Sequence, residues 1–434
     1  MVERRAKGKG SLMRMQAQSV GWIVAGDGHG VRSQARDIVV SWALPLALLL
    51  AVALLTLLSS GGLSYAMHPY DEALYQGYSA GLWHGVLPAS DYSPGYDFFY
   101  ALFNTPGTSP AVAYHDVRLC VTLLLVFLTF GALRRSLGWP LATLCGLIVA
   151  ASASATTVMT LYVAGAAILA GALWVVGPTP RRAGLALCLL CVGVSIRPEY
   201  ALVALAAAVT LWPALARRKR WYLPAVLAFG AVAAYTLLVP QYDRDVRHYP
   251  GGRLSFAFCQ HYAWNQYDQG TSIVRGLPLH DKMDHCELVL AHDFGAAAHT
   301  LPAFARANPR AFARHVAYNL AIAPVQLVAM LPIQVGTAVR IPGIVLGVVW
   351  LALALVSLFA RFRCRRSRPR LRRGHLFALS PPLCIALSTL VLYAPWMVIR
   401  PRFDYQVELL PVFVLTLGMM VNALMRRPST SPPQ

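Results

Sequence analysis

The sequence predicts an all-α polytopic membrane protein with about ten transmembrane helices and interfacial helices in two extracytoplasmic loops. Three observations carry that expectation. The chain is 57% hydrophobic and only 13% charged, with a mean hydropathy of +0.52, and its apolar blocks recur from end to end. Acids are segregated: of 18, only Glu3, Asp27 and Asp37 precede the first apolar block, and the other fifteen fall where an outer face is expected. The basic residues occupy short clusters between apolar blocks, as the positive-inside rule requires of cytoplasmic turns.

The first block, residues 38–58, is long enough to cross a hydrocarbon core of roughly 30 Å. The basic clusters order the rest. Arg134 and Arg135, Arg181 and Arg182, residues 217–220, eight arginines between Arg361 and Arg373, and Arg426 and Arg427 all read as cytoplasmic. An even number of crossings must then separate each neighbouring pair. Spans at 117–133, 140–155, 159–176, 184–196, 199–216, 221–239, 342–360, 376–396 and 406–424 satisfy that parity. The stretch 316–336 is apolar enough to cross but would invert the eight-arginine loop. Carrying Pro324, Gln326, Pro332 and Gln334, it reads as a re-entrant or interfacial segment.

Domain organisation follows. Residues 1–37 are basic, Gly-rich and without apolar periodicity, the pattern of a disordered cytoplasmic tail, and 428–434 form a short polar tail on the same side. Residues 38–427 make one transmembrane domain, with no internal repeat and no soluble part with its own core. Small residues follow the first block, but its polar lead and full length favour an uncleaved anchor over a signal peptide. The +20 charge is explained by the cytoplasmic clusters, so nucleic-acid binding is excluded as a function class. Transport leads one to expect ionisable residues inside the spans, and the assigned interiors hold almost none.

Two outer segments, 59–116 and 240–315, are long enough to build a site. The first contains HPYDEALYQGYSAGLWHGVLPASDYSPGYDFFYALF. Pro69 and the acids after it predict a helix to about His84, with Asp71, Tyr75, Tyr78 and Leu82 along one face. Paired carboxylates on an interfacial helix suit a general base and its partner, because neighbouring charge and partial desolvation raise a carboxyl pKa toward neutrality. The helix macrodipole alone also favours Asp71 and Glu72 in a first turn.

Taken together, a long first span, an Asp-Glu pair just beyond it, a Tyr- and Ala-bearing helix and a Ser-Pro-Gly-aromatic stretch resemble the GT-C superfamily of polyprenyl-phosphate-sugar-dependent glycosyltransferases. Protein O-mannosyltransferases and the lipid A aminoarabinose transferase have that layout. Arg118 in HDVRLCVTLLLVF, the run from Ile196 through Arg197, Pro198 and Glu199 to Tyr200, and Arg402-Phe403 followed by Glu408-Leu409-Leu410-Pro411 are similar to further patterns of that superfamily. The resemblance implies inverting transfer of a sugar from a polyprenyl-phosphate-linked donor to a glycan, lipid or protein acceptor. Asp71 would deprotonate the acceptor hydroxyl, Glu72 would orient or tune it, and Arg197 and Arg402 would hold the donor phosphate. Both arginines also fit interfacial snorkelling. Tyr75, His84 and Asp97 are candidate substrate contacts, with a structural role as the alternative for His84 and Asp97.

Many members carry a further acid in the next outer loop. Here residues 152–157 hold only small and hydroxyl side chains, and two adjacent carboxylates make a poor Mg²⁺ site, so a metal-independent reaction is favoured. His280, His285, His292 and His299 have no zinc spacing. Cys120, Cys145, Cys188, Cys191 and Cys384 fall in spans, and Cys364 is cytoplasmic. Cys259 and Cys286 are the two outer thiols: in an oxidising compartment they pair, and otherwise they are buried and unpaired. The layout suits a bacterial inner membrane with both termini cytoplasmic and the active site outside. Alternatives are a polysaccharide polymerase or ligase working through the large outer loop, and a transporter of lipid-linked saccharides.

Overall fold

The computed structural model describes residues 38–59, 69–87, 94–155, 160–216, 251–329 apart from 272, 274 and 277, 381–392 and 407–425, besides isolated positions. Among these every regular element is helical. The expected tails 1–37 and 428–434, the span 342–360 and nearly all of 221–239 lie outside the described residues.

The chain divides into residues 1–48 and 49–434. In the first unit, residues 38–48 form the opening turns of helix α1 (Val39–Ser59). In the second, the rest of α1 buries Leu49, Ala53 and Leu57, a stripe at four-residue spacing, and exposes Leu54, Leu55 and Leu58. Leu49 lies so close to Gly146 that a Cβ there would meet it at 2.7 Å.

Among the described residues two helices, α1 and α4 below, are long and apolar enough to cross a membrane. Following α1 come α2 (Pro69–Leu82), α3 (Pro94–Ala101), α4 (Pro110–Ser136), α5 (Trp139–Ala155), α6 (Thr160–Val175), α7 (Pro180–Ile196) and α8 (Tyr200–Leu215). Local chemistry starts and stops them. Ser109 caps α4 and Thr179 caps α7, each with Pro at the first turn and each accepting an amide three residues on. Arg134 and Arg135 in the last turn of α4 complement its macrodipole.

Helices α4 and α6 are parallel neighbours. Tyr114 and Arg118 lie beside the start of α6, Gly131 fits under the Trp174 ring, and Arg135 donates to the carbonyls of Trp174 and Val176. That last contact places the Arg135 and Arg182 end of the bundle together, around Gly177. Exposed Leu124, Phe127, Leu144, Leu185, Val192, Leu205, Val209 and Trp212 give α4, α5, α7 and α8 an apolar outer surface.

Beyond residue 250 the chain forms α9 (Gly252–Asp268), α10 (Leu279–Asp284), α11 (Cys286–Phe294), α12 (Leu301–Ala307) and α13 (Pro309–Ala329). Later elements are α14 (Pro381–Thr389) and α15 (Leu410–Met425), the latter led by a 3-10 turn, Val407–Leu409. The described part of the second outer segment, residues 251–315, gathers a buried apolar cluster. Phe258, Tyr262, Val289, Leu290, Phe294 and Phe304 are buried around a Cys259–Cys286 disulfide. Phe258 stacks on Phe304 at 5.0 Å and on Phe312 at 5.6 Å. Helix α13 runs across the expected boundary between 315 and 316 and past Pro324. His315 and Asn319 bracket the expected boundary, yet both bond to Asn265 of α9. The first half of α13 therefore belongs to this cluster. Residues 330–336 lie outside the described residues.

Candidate functional site

Helix α2 forms as expected from Pro69. Glu72, Tyr75, Gln76 and Ser79 are buried, the i, i+3, i+4, i+7 stripe, whereas Tyr78 and Leu82 are only partly covered. This stripe turns inward because α2 docks on α3 by a polar clamp. Gln76 Nε2 donates to the Tyr100 hydroxyl at 3.0 Å and to Pro110 O at 2.7 Å. Asn104 Nδ2 donates to Gln76 O and Ser79 Oγ, both at 2.8 Å. Asp71 is helical in its backbone, and its side chain lies outside the described residues.

Glu72 is fully buried, and its Oε1 accepts the main-chain N–H of Thr160 at 3.1 Å. Thr160 opens α6, so this carboxylate satisfies one of the amides that a helix start leaves without an intrahelical partner, and it meets the positive end of the macrodipole. The Tyr96 and Tyr114 hydroxyls lie near the Thr160 side chain. Burial, with the Glu72 charge beside it, holds the Tyr96 phenol well above its ordinary range, so it stays neutral. Arg118 is buried in the same cluster, within the field of Glu72. A guanidinium removed from water needs such a counter-charge. Arg118, expected at the mouth of the second span, stands in the third turn of α4, a helix long enough to cross.

The other candidates around α2 are not equally placed. Tyr75 is 5% exposed and meets the Tyr96 ring edge-on at 5.0 Å. Asp97, also on α3, has no exposure. His84 is exposed in the turn after α2, about 18 Å of helical rise from Glu72. Helix α3 approaches α7 so closely that a Cβ on Gly95 would lie 2.1 Å from Ser195 Oγ.

A second charged cluster forms where α7 gives way to α8. Arg197 is the C-cap of α7, with its N–H on Gly193 O at 2.7 Å, and Pro198 and Glu199 turn the chain into α8. The guanidinium lies 4.5 Å over the Tyr162 ring. Its Nε is 3.2 Å from Glu199 Oε2 and 3.5 Å from Glu408 Oε1. Glu408, in the turn before α15, is 1% exposed and reaches α6 at Gly165, where an added Cβ would lie 2.6 Å from Glu408 Oε1. The Tyr200 hydroxyl donates to Gly165 O at 2.8 Å and closes the box. Arg402 lies outside the described residues.

The first turn of α6 links the clusters, Thr160 facing Glu72 and Tyr162 facing Arg197. Both lie at the opposite end of the bundle from Arg135 and Arg182. Sequence reading assigned no role to Thr160, Tyr96, Tyr114, Tyr162, Glu199 or Glu408. Glu199 and Glu408 stood within the quoted Arg-Pro-Glu and Glu-Leu-Leu-Pro patterns, and a carboxylate at the head of an apolar helix must find a cation. Cys259, Cys286 and Glu287 place donor atoms within 4.8 Å of one another, but the two sulfurs are joined to each other and cannot ligate a metal.

Comparison with protein-family models, with curated proteins and with solved structures finds no match.

Proposed function

We propose that this protein is an inverting glycosyltransferase of GT-C type. It would span a bacterial inner membrane about ten times and transfer a sugar from a polyprenyl-phosphate donor to a glycan, lipid or protein acceptor outside. The observation that carries the reading is the gathering of charge at one end of the bundle. Glu72, buried beside Arg118, and Arg197 between two carboxylates share the first turn of α6, while the paired arginines lie at the other end.

In this reading the positions have distinct work. Asp71 takes the proton from the acceptor hydroxyl as that oxygen attacks the anomeric carbon. Glu72, anchored on the α6 start, fixes the turn that carries Asp71. Arg197 and Arg402 balance the charge that grows on the departing phosphate. Transport of lipid-linked saccharides is the second reading, favoured by the guanidinium of Arg118 buried within α4.

One experiment separates them. Purified protein in detergent is given polyprenyl-phosphate sugars of defined headgroup, and released polyprenyl phosphate and the anomeric configuration of the product are followed. Inverted product from wild type, with loss of transfer but not of donor binding in Asp71→Asn, is expected. Full turnover by a folded Asp71→Asn protein would sink the assignment and move suspicion to residues 240–315.

A further inference from the structure

Helix α13 has two faces of different chemistry. Inward, Phe312 stacks on Phe258, and His315 and Asn319 bond to Asn265 of α9. Outward, Arg310, Arg314, Ala317 and Ala321 are exposed at the i, i+4, i+7 and i+11 positions of one stripe, with Leu320 45% exposed beside it. The stripe changes character along its length. It opens with two cations about 6 Å apart in helical rise and continues as an apolar surface. No Asp, Glu, Lys or Arg follows Arg314 until Arg340.

Both arginines are placed against the electrostatics of their own helix. The first turn of α13 contains no acid and holds Arg310 instead, at the positive end of the macrodipole. Like charges at i and i+4 also repel each other. Among the described residues no carboxylate lies within ion-pair distance of either guanidinium.

We infer that Arg310 and Arg314 together hold the phosphate of an anionic phospholipid of the surrounding bilayer, whose acyl chains lie along Ala317, Leu320 and Ala321. The inference rests on the reading of the chain as a membrane protein with 251–315 at its outer surface, and not on sugar transfer. Two guanidiniums one turn apart present forked donors to a single phosphodiester, and its negative charge relieves both electrostatic penalties. The apolar positions that follow give acyl chains a surface to cover, which inorganic phosphate does not use. The stripe is exposed along its length rather than recessed. That suits the lipid surrounding the protein over a carrier substrate that has to be singled out. The bound headgroup fixes the level at which α13 enters the apolar layer, and through Asn265 it steadies the disulfide-bonded helices at the membrane surface.

The test is lipid retention in native mass spectrometry, with protein released from micelles holding equal phosphatidylglycerol and phosphatidylcholine. Wild type should keep phosphatidylglycerol preferentially. Arg310→Gln and Arg314→Gln should each weaken that preference by up to about fivefold, and the double variant should keep one phosphatidylglycerol fewer. Replacing both by Lys should preserve most of the preference, and Arg275→Gln, a charge-matched change at another exposed arginine, should leave it intact. Melting temperatures report separately on folding, and if the double variant does not fold the single variants decide. Unchanged retention by the Gln variants, an equal loss in Arg275→Gln, or displacement of the lipid by an equal amount of polyprenyl phosphate overturns the inference. Wild type that stays dispersed without detergent overturns it together with the membrane reading. Wild type that transfers no sugar yet keeps the preference supports it while the transferase reading fails.

Discussion

The main-chain N–H of Thr160 donates to Glu72 Oε1 at 3.1 Å, joining the first turn of α2 to the first turn of α6 across 88 residues of sequence. Glu72 is thereby committed to the fold, and in the proposed function Asp71, one residue earlier, is the base.

Asp71→Asn is therefore expected to lower sugar transfer by about 10²- to 10⁴-fold with little loss of stability. Glu72→Gln keeps an oxygen for the Thr160 amide but removes the charge beside Arg118. It should lower the melting temperature and reduce transfer less. Parallel melting and single-turnover measurements on the two variants check this, and the reverse ranking would overturn the division of labour.

Two glycines should respond to alanine with opposite sign. Gly95→Ala drives a methyl into Ser195 at the α3–α7 contact and should destabilise by about 1–3 kcal/mol. Gly77, exposed on α2 with open space around its Cα, should accept alanine with a gain of up to about 1 kcal/mol from helix propensity. Thermal melts of the two single variants in one detergent decide the signs.

What the sequence made legible is what depends on local composition. Apolar runs bounded by arginine pairs marked 140–155, 159–176 and 184–196, and helices occupy them because a 3.6-residue period needs no knowledge of partners. Pro69 marked the start of α2 for the same reason. Which face of α2 turns inward was not legible. It depends on Gln76 meeting Tyr100 and on Asn104 meeting Ser79, contacts between elements more than 20 residues apart. The place of Glu408 was hidden likewise, since it rests on an absent side chain at Gly165. Residues 251–315 looked like a polar loop because their aromatic positions have no long periodic run, yet short helices assemble those rings around Phe258.

The Cys259–Cys286 bond should support that assembly more than the rest of the protein. Closing a loop with a sequence separation of 27 contributes about 3–4 kcal/mol in the chain-entropy model. Reduction, or Cys259→Ser with Cys286→Ser, should expose 251–315 to limited proteolysis while the melting of the apolar bundle shifts little. Unchanged protease resistance after complete reduction would refute it.

Alkali should loosen the same assembly through Tyr262. Burial, with Asp293 accepting its hydroxyl, pushes this phenol well above its ordinary range. A raised folded-state pKa favours the protonated form, so the contribution is fully present below the unfolded value near 10 and falls as pH rises toward the folded one. Wild type should lose protease resistance in 251–315 above about pH 10, and Tyr262→Phe should start less resistant and lose less of it. A parallel loss in the two proteins would count against the assignment.

The sidedness of the chain rests on the arginines between Arg361 and Arg373. If residues 316–336 crossed fully, that cluster would lie outside, against the positive-inside rule. The anchoring of the first half of α13 on α9 through His315 and Asn319 ties the start of this stretch to the disulfide-bonded helices instead. Cys364 is a natural reporter within the arginine cluster, and the exposed Asp281 offers a position in the segment that the proposed topology puts on the other face. In intact cells a membrane-impermeant maleimide should label Asp281→Cys and spare Cys364, which should react only after permeabilisation and not at all in Cys364→Ser. Labelling of both Cys364 and Asp281→Cys in intact cells would mean that 316–336 crosses fully, whereas labelling of Cys364 with Asp281→Cys spared would reverse the topology and move the Glu72 and Arg197 clusters to the cytoplasmic side, where an extracytoplasmic transferase cannot work.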